Sequence, residues 1–259
     1  MRDTGRLGGR HAAPSALVAI VLVVLVSCAA GCKDGSEARF SLQSPSAPPF
    51  VLEDDFTTDR GYVGNVPNEI FVDTASGTIR WHADRNRVQY LAYPIPPVSG
   101  DVTIEVVGQI DWAQNNCAIH VGLAESLTPV VSDRDPAGLY VELGFLGGGC
   151  RNHFYLANAW AQFSDGTSRQ MSAGHTCDVD DGAVIKIDAG RAYRCVLKVT
   201  GDIALYTVHD EATGDLVDAA AFGILKPIGP YRYLLVGNFM VGDWPVADGS
   251  IDRIRVSSP

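Results

Sequence analysis

Basic residues are in short supply. Of 259 residues, 20 are Lys or Arg and 30 are Asp or Glu, a formal net charge of −10. A nucleic-acid surface needs clustered Lys and Arg to meet phosphates, so this balance excludes that partner class. Long apolar runs are equally scarce. One stretch, Ala16 to Val26, holds 11 consecutive apolar residues, short of the about 20 that a membrane-spanning helix requires. No segment keeps a sustained 3.6-residue period, which excludes a helical bundle. Nucleophile and phosphate motifs are also missing: there is no Gly-x-Ser-x-Gly, no Ser-x-x-Lys and no His-Glu-x-x-His. Gly147-Gly148-Gly149 is followed by no helical pattern and reads as a turn, not a nucleotide loop. What the chain does have is 46% hydrophobic residues, too many for a disordered protein, with 27 Gly and 14 Pro to punctuate short strands.

The N-terminus reads as an address. Arg2, Arg6 and Arg10 precede the apolar run, and small residues follow it, the pattern of an export signal. Leu25-Val26-Ser27-Cys28 resembles the bacterial lipobox, which implies lipidation at Cys28 and removal of residues 1–27. Ala29-Ala30-Gly31-Cys32 is a weaker match, and a non-lipidated signal or an uncleaved anchor are the alternatives. Residues 28–49 are rich in Ser, Pro, Ala and Gly and read as a flexible tether. The expected location is the bacterial cell envelope, with the membrane reached through acyl chains. Inner and outer membrane both stay open.

Residues 50–259 read as one all-β domain. Strand signals fall at 50–56, 78–82, 88–93, 101–107, 117–123, 138–145, 153–163, 193–199, 203–209, 233–240 and 251–256, with turns between them. Alternation assigns faces: Val102, Ile104 and Val106 oppose Thr103 and Glu105, and Leu139, Val141, Leu143 and Phe145 oppose Tyr140, Glu142 and Gly144. One apolar and one mixed face per strand is the pattern of two sheets sharing a core. Asp248-Gly249-Ser250-Ile251-Asp252-Arg253-Ile254-Arg255-Val256 resembles the closing strand of concanavalin A-like (laminin-G-like) jelly rolls, and Leu52-Glu53-Asp54-Asp55-Phe56 resembles their opening strand. The resemblance implies a two-sheet jelly-roll sandwich. The superfamily includes lectins, glycan hydrolases and structural modules, so fold alone does not assign the activity.

Hydrolysis on this fold would use paired carboxylates. The Glu-x-Asp-x-x-Glu string of one such hydrolase family does not occur. Glu105 and Glu142 could act together only if their strands were neighbours. Sugar binding asks for an aromatic platform and a few placed polar groups. Trp112, in an expected loop with Asn115, is the first candidate. His120, Tyr140 and Glu142 share non-core faces, and Asn158 and Trp160 share one face of the next strand. Trp244 is a further loop aromatic.

Asp178, Asp180 and Asp181 cluster three carboxylates that could hold calcium, the one cofactor the chain suggests; the other reading is a solvated acidic turn. Cys150 and Cys177 lie in loop-like stretches and form the first disulfide choice for an exported chain, with Cys117 and Cys195 as either a core disulfide or two buried thiols. Cys150, His153, His175 and Cys177 also have a zinc composition, but at irregular spacing. The expected function is a noncatalytic envelope-anchored module binding carbohydrate or another envelope ligand. The alternatives are a glycan hydrolase or lyase with unrecognised acids, and a structural or protein-interaction module without a small ligand.

Overall fold

A computed structural model describes residues 49–84, 86–113, 117–130, 134–146, 154–171, 187–224, 226–239 and 246–259. Cys28, Asn115, Cys150, Cys177, Asp178, Asp180, Asp181 and Trp244, with the signal and nearly all of the tether, lie outside the described residues. The strands are β1 (Phe50–Asp54), β2 (Val63–Gly64), β3 (Ile70–Asp73), β4 (Thr78–Asp84), β5 (Gln89–Val98), β6 (Val102–Ala113), β7 (Ala118–Ala124), β8 (Gly138–Leu146), β9 (Phe154–Gln162), β10 (Ser168–Met171), β11 (Tyr193–Thr200), β12 (Ile203–Asp210), β13 (Leu216–Gly223), β14 (Tyr231–Asn238) and β15 (Val246–Ser258).

They form two antiparallel sheets. Sheet A runs β13-β12-β11-β6-β15-β4-β3, with β1 also on β15, and sheet B runs β10-β9-β8-β7-β14-β5-β2. Every strand expected from the sequence is present, and the architecture is the jelly-roll sandwich that the resemblance implied. Four strands had not been expected. β2 and β3 are two and four residues long, β10 is the polar Ser168-Arg169-Gln170-Met171, and β13 is alanine-rich. Short, polar or Ala-rich segments carry little intrinsic strand signal and are strands because a neighbour pairs with them. The expected β11–β12 hairpin is realised as a two-residue turn: Thr200 faces Ile203, and Gly201 takes φ +60, where a side chain would strain the backbone.

The core lies between the sheets. Val102, Ile104, Val106 and Ile110 of β6 and Leu197 and Val199 of β11 face Ile119, Val121 and Leu123 of β7 and Leu139, Val141 and Leu143 of β8, all buried. Burying each Leu or Ile stabilises by about 1.5–3 kcal/mol. The two thiols in this core are not bridged to each other. Cys117 Sγ contacts the Ala83 carbonyl at 3.7 Å, and Cys195 lies beside Tyr206, its thiol pushed up to about 12 by burial. Of the two readings for this pair, the core disulfide is not formed: Cys195 on β11 and Cys117, just before β7, each take a buried core position.

The first and last strands pair antiparallel, Phe50 opposite Ser258 and Asp54 opposite Ile254. Along β15, Ser257 faces Thr103 and Asp248 faces Trp112. No helix among the described residues is long and apolar enough to cross a membrane.

Candidate functional site

Seven residues were candidates for ligand binding, and the structure sorts six of them onto two surfaces. The first surface is the outer face of sheet A. β6 is longer than alternation suggested and continues to Ala113, so Trp112 stands on a strand rather than in a loop. The alternation breaks because a bulge intervenes: Gly249 pairs with Ile110 while Asp248 pairs with Trp112, leaving Asp111 as the extra residue. Ile110 and Ala113 therefore point inward, whereas Asp111 and Trp112 both face outward. Trp112 is 48% exposed, the one exposed tryptophan among the described residues.

Its surroundings are planar and polar. Across the strands the row reads Trp112, Asp248, His82. His82 Nδ1 and Asp248 Oδ1 are 2.6 Å apart, and both side chains are exposed. Beside them Gln109 Nε2 donates to Asp111 Oδ1 at 2.5 Å, and Arg80 Nη2 lies 3.7 Å from Asp111 Oδ2. A second bulge lies between Ile251 and Arg253, and both Asp252 and Arg253 are partly exposed. Desolvation, with Asp111 and Glu211 nearby, raises the Asp252 carboxyl above its usual range. Glu105 is on this same sheet, 3.3 Å from Arg253.

The second surface is the outer face of sheet B, where the register assembles His120, Tyr140, Glu142, Asn158 and Trp160. One row runs Asn158, Glu142, His120, Gly237, Tyr90 and the next runs Trp160, Tyr140, Gly122, Leu235, Ala92. Gly122 is required between its neighbours, because a Cβ there would stand 1.9 Å from the Leu139 carbonyl oxygen. The expected co-location is therefore real, but these side chains are buried rather than offered to solvent: His120 is 1% exposed and Trp160 5%.

Residues 127 and 134–137 account for part of the cover. Asp135 reaches His120, with both carboxylate oxygens 2.8 Å from Nδ1, so Nδ1 carries the hydrogen and donates it. The Tyr140 hydroxyl donates to the Pro136 carbonyl at 2.9 Å. Leu127 packs on a second apolar cluster formed by Ala92, Ala124, Tyr140, Trp160, Leu235 and Phe239. His120 stacks on Trp160, with centroids 5.8 Å apart at 24°, and its Nε2 lies 4.0 Å from Glu142 Oε2. Burial raises the Glu142 carboxyl, against the opposing pull of His120 and of the amide hydrogen bond from Asn158.

Glu105 and Glu142 stand on different sheets, both on faces turned away from the core, so they cannot act as a pair. Among the described residues no group of three or more His, Cys, Asp or Glu is arranged to hold a metal ion. Sequence reasoning missed Asp135, whose surroundings (Asp133-Arg134-Asp135-Pro136) read as an ordinary turn, and His82 and Asp248, which only the register unites. It also missed Gln162, although that residue stands two positions beyond Trp160 on the same face of β9.

No family model matches the sequence, and no curated protein matches it. Solved structures do share the fold. The exoplasmic/lumenal domain of VIP36 in its Ca2+/Man3GlcNAc-bound form is 9% identical with a TM-score of 0.50, over 77% of this chain and 83% of that one. Peanut lectin with a nine-residue peptide is 11% identical with a TM-score of 0.53, over 82% and 98%. A xylan β-1,4-xylosidase from Bacillus halodurans C-125 is 9% identical with a TM-score of 0.52, over 80% of this chain and 39% of that one. The domain has the concanavalin A-like jelly-roll fold these structures share.

Proposed function

We propose that the protein is a noncatalytic carbohydrate-binding module, exported and lipid-anchored to the bacterial cell envelope through Cys28. The observation that carries the binding reading is Trp112, an indole held outward on a strand by a bulge, with Asp248 opposite it and His82 beyond, and with Gln109 and Arg80 gathered on the neighbouring Asp111. A sugar lays its C–H face on such a ring and hydrogen-bonds planar polar groups at the edge. The fold likeness to a mannose-oligosaccharide-bound domain and to peanut lectin supports the same reading.

A glycan array of residues 33–259 tests it, run with and without calcium because Asp178, Asp180 and Asp181 remain the proposed cation ligands. Trp112→Ala should lower affinity for any hit at least about tenfold, as loss of a central aromatic anchor does. Its free energy of unfolding should stay within about 0.5 kcal/mol of the parent, since the ring is on the surface. Full binding by the variant would remove the assignment. For the anchor, incorporation of labelled palmitate should disappear in Cys28→Ser.

One observation favours hydrolysis as the second reading: two bulges turn Asp111 and Asp252 onto the same sheet face, with the Asp252 carboxyl held toward its protonated form. Release of reducing ends that is lost in Asp252→Asn would support it over pure binding.

A further inference from the structure

We infer, on the reading of Trp112 as a sugar platform, that the site crosses four strands of sheet A to a second aromatic subsite at Phe71, and that its ligand is an extended linear oligosaccharide longer than a disaccharide. Among the residues whose side chains are described, Phe71 and Trp112 are the two exposed aromatics, at 38% and 48%. Both stand on the outer face of sheet A. Ile70 and Val72 pair with Trp81 and Ile79 and belong to or pack on the core, so Phe71 between them turns outward, opposite Arg80.

The strands β6, β15, β4 and β3 are consecutive in the sheet. One row across them reads Trp112, Asp248, His82, and the next reads Gln109, Ser250, Arg80, Phe71. The β11 ladder on β6 ends at Gly108, short of Trp112, and β3 is the edge of the sheet. The two rings therefore mark the two margins of this strip. They lie three strands and two residues apart, about 16 Å at strand spacings of about 4.8 Å and a rise of about 3.3 Å per residue. Between them the exposed side chains are planar and polar: His82, Asp248 and Arg80 are 42–46% exposed. Among the described residues the Arg80 guanidinium has one ionic partner, Asp111 at 3.7 Å, which is beyond hydrogen-bond length. Its five N–H donors are thus left for a ligand's oxygens.

A sugar chain carries apolar C–H faces and hydroxyls along its whole length, so one chain can stack on both rings and hydrogen-bond the groups between. A disaccharide reaches one ring or the other. An apolar ligand of the same length would cover His82, Asp248 and Arg80 without replacing their water, which is costly.

The test is isothermal titration calorimetry of the full chain in a sugar-free detergent. The probes are β-1,4-linked glucose, mannose, xylose and N-acetylglucosamine oligomers, each as the disaccharide and the hexasaccharide. At least one hexasaccharide should bind at least about tenfold tighter than its disaccharide, because it engages both rings. Phe71→Ala should cut this length advantage about tenfold, and Phe71→Tyr, which keeps the ring and the fold, should restore it. Trp112→Ala should weaken both lengths. Equal affinity for the two lengths, or an advantage indifferent to Phe71→Ala, overturns the Phe71 subsite and leaves the Trp112 platform standing. Binding indifferent to Trp112→Ala overturns the platform and the subsite with it. Absence of binding by every hexasaccharide also overturns the subsite. If the parent then sediments as a dimer that Phe71→Ala renders monomeric, the face belongs to a second copy of the chain.

Discussion

On the outer face of sheet A, Arg194, Glu211, Arg253 and Glu105 form a chain of ion pairs at 3.3–3.4 Å with solvent access. On the outer face of sheet B, Asp135, His120, Glu142 and Asn158 form a polar chain shut away from water. Both faces look alike in sequence: each is the mixed half of an alternating strand. The difference lies in what covers them. Exposed pairs trade water for each other at little net gain. The covered chain has no water to fall back on, so each of its hydrogen bonds becomes expensive to remove.

The sharpest test of that contrast is Asp135→Ala. It strands the His120 Nδ1–H in a buried place and should cost about 2 kcal/mol in urea unfolding. The matching change on sheet A, Arg253→Ala, cuts two ion pairs yet should cost less than about 1 kcal/mol and lose its effect at high salt. Equal costs for the two would break the comparison. The smallest effect is expected in the pH profile of Asp252. Its folded pKa is raised, so the folded state holds the proton more tightly than the unfolded one. Stability should therefore fall as pH rises from the unfolded carboxyl value through the folded one, and Asp252→Asn should flatten this step. Partial exposure keeps the step to a few tenths of a kcal/mol. A step of the opposite sign would show that Arg253 outweighs desolvation there.

Most strands and their core faces were legible because alternation of Val, Ile and Leu is a direct image of burial. The grouping of His120, Tyr140, Glu142, Asn158 and Trp160 was legible for the same reason, since residues two apart share a face and neighbouring strands carry them side by side. Their burial was not legible. It depends on Leu127 and Pro136, in stretches without a period, and on Asp135, which looks like any turn acid. Trp112 was assigned to a loop because a bulge destroys alternation locally, and a bulge is a property of two paired strands that neither one announces. β13 escaped for a related reason: Asp218-Ala219-Ala220-Ala221 becomes a strand through its pairing with β12.

The pairing of β1 with β15 fixes which way the domain points. Phe50, the first residue of β1, lies opposite Ser258, whereas Trp112 lies opposite Asp248, ten residues back along the same strand. At about 3.3 Å per residue the indole sits some 30 Å from the point of entry. Should the domain be held from upstream of Phe50, as proposed, the indole would stand at the opposite end of the last strand from that attachment, the way a palm stands away from a wrist.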